Sequence, residues 1–291
     1  MAAIIVSATV WGIGPIFIRF THVTGLTTSF WRLLIAIPVM ATMAKFAGTP
    51  VTREMVIKMA PCGALFGLNT CFGFTANKTT TIAASSMIGS MYPVLLVFFA
   101  WPILRERVSR RQVVLSLVVV SGVIVMVLAG RHSGHHSVVG DVYALVASLI
   151  WVVYFVKTKR IRELGYQPLA MFASVMISGA ITVLPVAAIF AKDFTSFHRF
   201  GWGWILAMVF IPGAIGHGLL NWAHPFVNAS LSSVLLQLST VVSVLVGWRK
   251  FHEPMHPVQW IAVAVVVTTL CALALSHGRL PLDPEVAADH A

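Results

Sequence analysis

The sequence predicts an all-α integral membrane protein: ten transmembrane helices arranged as two inverted five-helix repeats. Three observations predict it. Of the 291 residues, 58% are hydrophobic and only 10% charged, whereas soluble domains carry about 25% charged residues. Mean hydropathy is +0.89. The chain divides into ten apolar stretches of spanning length, and its second half repeats its first.

A spanning helix needs about 17–25 mostly apolar residues. The stretches 2–20, 27–47, 55–76, 81–103, 112–130, 140–158, 168–191, 202–223, 229–248 and 258–276 qualify. The first has no basic segment before it and continues through Gly12 to Arg19, so it reads as a mature span and not a signal peptide. The short loops make neighbours in sequence antiparallel neighbours in space. The longest polar breaks are 131-RHSGHHSVVG-140 and the tail from His277 to Ala291, rich in Pro, Asp and Ala with little to bury.

The net charge of +11 falls in short clusters between apolar runs. A nucleic-acid binder presents a basic face interleaved with aromatics, so the partner expected here is the lipid bilayer and not nucleic acid. With the N-terminus cytoplasmic, twelve Lys and Arg residues lie inside and seven outside. That bias predicts a multi-pass protein of the plasma (inner) membrane with both termini cytoplasmic. Cys62, Cys71 and Cys271 all lie in apolar runs, none in a C-x-x-C, and read as small buried residues.

The repeat appears at a shift of 147 residues, which sets Glu106 on Glu253, Gln112 on Gln259, Trp101 on Trp248 and Ser85-Ser86 on Ser232-Ser233. Nearer the start of each half a shift of 140 pairs Trp11 with Trp151 and Arg19 with Lys159. The organisation is thus repeat 1 over 1–130, a linker over 131–139, repeat 2 over 140–276, and a cytoplasmic tail over 277–291 without fixed structure. Five is odd, so the second half begins on the opposite side of the membrane. Inverted repeats of this kind enclose a site near the midplane and expose it to each side in turn.

One motif points elsewhere. His252-Glu253-Pro254-Met255-His256 fits H-E-x-x-H, in which two histidines one helical turn apart hold zinc and the glutamate activates water. Pro254 between the histidines argues against that helix, and the repeat mate carries Arg105 and Ser109 where the histidines stand. No metal site and no cofactor are expected. His132, His135 and His136 read as a solvated loop. A membrane zinc protease and a non-transporting scaffold or lipid-handling protein remain as alternatives.

With the repeat placed, the chain resembles the drug/metabolite transporter superfamily, in particular its EamA-type members. The resemblance rests on Trp11-Gly12, on 30-FWRLLIAIP-38, and on 76-ANKTTTIAASSMIGSMYPVLLVFFAWPILRER-107 with its echo 223-AHPFVNASLSSVLLQLSTVVSVLVGWRKFHEP-254. It covers nearly all of 1–276. The halves differ where Pro93 becomes Thr240 and where 12-GIGP-15 becomes 152-VVY-154. The resemblance implies a ten-helix carrier, not an enzyme, moving small organic metabolites, often outward, with amino acids the commonest guess. Self-association as a homodimer is left open.

No carboxylate sits in mid-membrane, so an Asp/Glu proton relay is not available. Proton coupling falls to His217 or His224 or is absent, and either histidine equally serves helix packing. Arg32 is the strong charge well inside a span, facing an anion or reaching back to the interface. The polar and aromatic residues nearest the midplane are Trp11, Asn69, Tyr92, Trp151, Tyr154, His217, Asn221 and Gln237. Each bonds another helix or a ligand, because an unpartnered polar group there is costly; with Arg32 they form the expected substrate-binding set. Gly12, Gly14, Pro15, Pro93, Pro212, Gly213 and Gly216 break spans and are the expected hinge or cavity backbone. Gly63-x-x-x-Gly67 offers a close-packing face.

Overall fold

The computed structural model describes residues 1–92, 94–95, 109–130, 136–162, 165–195, 199–223 and 235–277. Among them every regular element is a helix. The first span is two helices, α1 (Ala2–Gly12) and α2 (Gly14–Phe20). They part at Ile13, where Pro15 brings no N–H to continue the ladder. Helices α3 (Gly25–Phe46), α4 (Arg53–Thr79) and α5 (Ile82–Gly89) each begin on a threonine. The hydroxyls of Thr24, Thr52 and Thr81 accept from the N–H groups of Thr27, Met55 and Ala84 at 3.3, 3.3 and 3.1 Å, satisfying donors that a helix start leaves open.

Next come α6 (Arg110–Gly130), α7 (Val138–Arg162) and α8 (Pro168–Phe190). Proline opens α8, where its missing N–H costs nothing. The eighth apolar stretch is composite: α9 (Arg199–Met208), a π-helical segment (Val209–Gly216) and α10 (His217–Ala223). Helices α11 (Leu238–Lys250) and α12 (Pro257–His277) end the described chain.

Among the described residues, seven stretches are long and apolar enough to cross a membrane: Ala2–Phe20, Gly25–Phe46, Arg53–Thr79, Arg110–Gly130, Val138–Thr158, Pro168–Phe190 and Gly201–Leu220. Pro257–Ala272 is a shorter apolar helix. The expected fourth and ninth spans are described only in part, and Pro93, Glu106, His224 and 230–233 lie outside the described residues.

Helix α4 makes its most extensive contacts with α8, then with α7. The glycine pair explains how α4 and α8 approach. A Cβ on Gly63 would overlap the Ser178 hydroxyl, and one on Gly67 would lie 2.8 Å from Val183 Cγ2 and 2.9 Å from the Gly179 carbonyl. The predicted close-packing face therefore sits against α8. A second core joins α5, α6 and α12 through Met87, Val119, Met126 and Val266. The outer faces of α6 and α12 present Leu117, Ile124 and Ile261, side chains suited to lipid.

Two repeat mates make the same hydrogen bond. Gln112 Oε1 accepts from Ser109 N–H at 2.8 Å where α6 begins, and Gln259 Oε1 accepts from His256 N–H at 2.8 Å where α12 begins. The first is a reciprocal cap, since Ser109 Oγ accepts from Gln112 N–H at 3.2 Å; in the second, His256 Nδ1 accepts from Val258 N–H at 3.3 Å. The H-E-x-x-H stretch is not a helix: residues 252–256 form the turn before Pro257, and His252 has φ 52°. Its histidines do not share a helical face.

Candidate functional site

A cavity of about 480 Å³ lies where the broken spans meet. Its backbone wall includes Gly14, Pro15 and Pro212. The two breaks are locked to neighbouring helices. Trp11 Nε1 donates to the Pro212 carbonyl at 2.9 Å, and Ser243 Oγ of α11 donates to the Gly12 carbonyl at 2.9 Å. These bonds satisfy carbonyls at the interruptions, the condition for irregular backbone at membrane depth. Close approach needs glycine here. A Cβ on Gly12 would lie 2.5 Å from Val242 Cβ, and one on Gly216 would lie 2.5 Å from Trp11 Nε1.

Seven of the nine side chains expected at a substrate site line this one cavity: Trp11, Arg32, Asn69, Tyr92, Trp151, His217 and Gln237. Tyr154 does not. It is 8% exposed and stands behind the wall, its ring 5.0 Å from Trp151 and 5.4 Å from Phe66. Asn221 falls on α10, and its side chain lies outside the described residues. Gly12, Gly213 and Gly216 are in the broken segments without lining the cavity.

Aromatic rings form two walls. The His217 ring lies between Trp11 and Phe172, with centroids 4.8 Å from each. Phe66 and Trp151 form the other, 6.1 Å apart. The polar groups divide into engaged and free. Asn69 Nδ2 donates to the Ala147 carbonyl at 2.8 Å, tying α4 to α7. The Arg32 guanidinium lies 5.5 Å from the Phe74 ring centroid. Among the described residues, the side chains of Arg32, Tyr92, Trp151 and Gln237 have no hydrogen-bond partner.

The sequence reading missed a set of charges that satisfy helix ends. Glu253 is 1% exposed. Both its carboxylate oxygens accept from Ile82 N–H at 2.9 Å, and Oε1 pairs with Arg19 Nη2 at 3.0 Å. Arg19 also donates to the carbonyls of Asn77 and Thr80, each at 2.7 Å. The glutamate of the zinc-like motif is thus a carboxylate at the N-terminus of α5, where unsatisfied N–H groups favour negative charge. A second carboxylate does the same for α3: Asp193 accepts from Thr24 N–H at 2.5 Å and from the Thr24 and Thr27 hydroxyls at 2.8 and 2.6 Å. Burial raises the Asp193 pKa, but these hydrogen bonds outweigh it and hold the carboxyl below its ordinary value. Asp141, in the first turn of α7, accepts from the Thr80 hydroxyl at 2.8 Å. Spacing along the chain carries no sign of these partners, because they join residues 58 to 234 positions apart.

Comparison with known proteins agrees with this architecture. The EamA-like transporter family matches twice, over residues 1–128 and 138–275. The chain is 23% identical over 251 residues to the uncharacterized transporter YyaM of Bacillus subtilis (strain 168), covering 83% of this chain and 81% of that one. It is 22% identical over 269 residues to an uncharacterized transporter of Archaeoglobus fulgidus, covering 91% and 93%. A crystal structure shares the fold with a TM-score of 0.67 at 18% identity, over 96% of this chain and 98% of that one. With two family matches that together span most of its length, this multi-pass membrane protein belongs to the EamA-like transporter family, within the drug/metabolite transporter superfamily.

Proposed function

We infer that the chain is a secondary carrier that moves small polar metabolites, amino acids among them, outward across the plasma membrane by alternating access. It does so as ten helices in two inverted repeats, 1–130 and 140–276, with both termini cytoplasmic. The observation that carries this reading is the cavity of about 480 Å³ at the two helix breaks, lined by residues from both repeats. That volume suits one small molecule. Trp11 and Trp151, mates at a shift of 140, both line it, as a site between related halves requires. The polar clasp of Arg19, Glu253 and the start of α5 adjoins the cavity residues Asn77 and Ser85, so one mouth is closed in this reading.

ATP does not drive the process directly, since the sequence holds no P-loop. The test is flux in proteoliposomes. Vesicles holding the purified protein and loaded with labelled amino acids, organic acids, amines, sugars or nucleosides should exchange at least one class faster than protein-free vesicles. Trp11→Ala and Gln237→Ala should cut that exchange by about fivefold or more, the worth of one lost hydrogen bond or stacking contact. No flux above empty vesicles for any class favours the scaffold or lipid-handling reading.

A further inference from the structure

The cavity has a one-sided charge. Among the described lining residues there is no Asp, Glu or Lys, and Arg32 is the one permanent charge. Its guanidinium has five N–H donors; among the described residues no carboxylate pairs with it, and the Phe74 ring lies 5.5 Å away. An unpaired guanidinium at membrane depth is costly and persists where water or an anion offsets it. The other free polar groups add donors: the Trp151 N–H, the Tyr92 hydroxyl and the Gln237 amide. The rest of the wall mixes aromatic faces, from Trp11, Phe66, Phe74 and Trp151, with small hydroxyls such as Ser86, Ser90 and Thr240.

We propose that the cargo is a small organic monoanion: a carboxylate or like oxyanion held by Arg32, joined to a planar or apolar body lying against the aromatic walls. Planar guanidinium and planar oxyanion match in a two-bond fork. The ring faces of Trp11 and Trp151 supply contact area for the body. A zwitterion would bring an ammonium into a lining whose described residues offer it no carboxylate, so its amino group gains no charge pairing there. A cation would meet Arg32 with no compensating charge. This proposal rests on the carrier reading and narrows its substrate class from polar metabolites in general to organic acids.

The test uses two probes with the same ring and fixed, opposite charges: benzenesulfonate and phenyltrimethylammonium. Binding to the purified full chain in detergent is read by thermal stabilisation and by quenching of tryptophan fluorescence. The sulfonate should bind about tenfold or more tighter than the ammonium, a difference of about 1.4 kcal/mol. Arg32→Gln should abolish that preference, while Arg32→Lys, which keeps the charge and loses the fork, should keep part of it. Should Arg32→Gln fail to fold, the wild-type comparison decides alone. Equal or tighter binding of phenyltrimethylammonium overturns the proposal. So does displacement of benzenesulfonate by chloride at equal concentration, which would mark a simple halide site. Flux of amines or sugars without anion preference would sink this inference and leave the carrier reading standing; absence of any flux would sink the carrier reading itself.

Discussion

At the scale of single residues, most of the function-bearing chemistry depends on buried polar groups finding partners. Glu253 is the sharpest case. It joins three pieces of chain: the turn before α12, the end of α2 and the start of α5. Glu253→Gln keeps the shape and removes the charge. It leaves Arg19 without its carboxylate, and a hydrogen bond to a charged group contributes about 1.5–3 kcal/mol. We expect unfolding stability in detergent to fall by about 2 kcal/mol, read as a lower thermal midpoint. An unchanged midpoint would remove Glu253 from the framework. Asp193 gives a pH prediction. Its hydrogen bonds favour the ionised form, so its pKa is lower folded than unfolded. That stabilisation is present above the ordinary aspartate pKa and is lost as pH falls through the lowered one. The thermal midpoint should therefore drop on acidification below the ordinary aspartate range. Asp193→Asn should start lower at neutral pH and lose part of the drop. A variant as acid-sensitive as the parent would contradict this assignment. Such residues were only half legible in the sequence. Composition and position picked Trp11, Arg32, Tyr92 and Gln237 as midplane groups, and they do line one cavity. The sequence places Glu253 between two spans, but its partners lie at Arg19 and Ile82 and no local pattern announces contacts of that range.

At the scale of elements, close approach and interruption decide the packing. The α4–α8 contact depends on Gly63 and Gly67. Gly63→Ala places a methyl group against the Ser178 hydroxyl and should cost about 1–3 kcal/mol through overpacking. Gly203→Ala on α9 makes the informative contrast, because a Cβ there meets nothing within 4 Å. It should be neutral or stabilising by up to about 1 kcal/mol, the helix propensity gained. Equal midpoints for the two variants would contradict the packing account. Helix positions were the most legible feature: the span expected at 27–47 is α3 over Gly25–Phe46, and that at 168–191 is α8 over Pro168–Phe190. Proline and glycine marked the broken spans, since Gly12-Ile13-Gly14-Pro15 and Pro212-Gly213 are where the helices part or widen. The π-helical form of 209–216 was not legible. Its Pro212 carbonyl is held by Trp11 from another span, a contact that exists only once the bundle has formed.

At the scale of the whole molecule, the account's central claim is that one cavity between two related halves opens to each side of the membrane in turn. Several observations support it without testing it: two family matches of similar length, mates Gln112 and Gln259 capping their helices alike, and mates Trp11 and Trp151 on one cavity. The repeat was visible in the sequence because these polar and aromatic matches stand out against an apolar background shared by any span. The most direct measurement labels a cavity residue from both sides. Ser86 lines the cavity. Ser86→Cys, with Cys62, Cys71 and Cys271 replaced, is treated with a membrane-impermeant maleimide in right-side-out and in inside-out vesicles. The account predicts labelling in both preparations, slowed by bound cargo. Labelling in only one of the two preparations, with or without cargo, would contradict it.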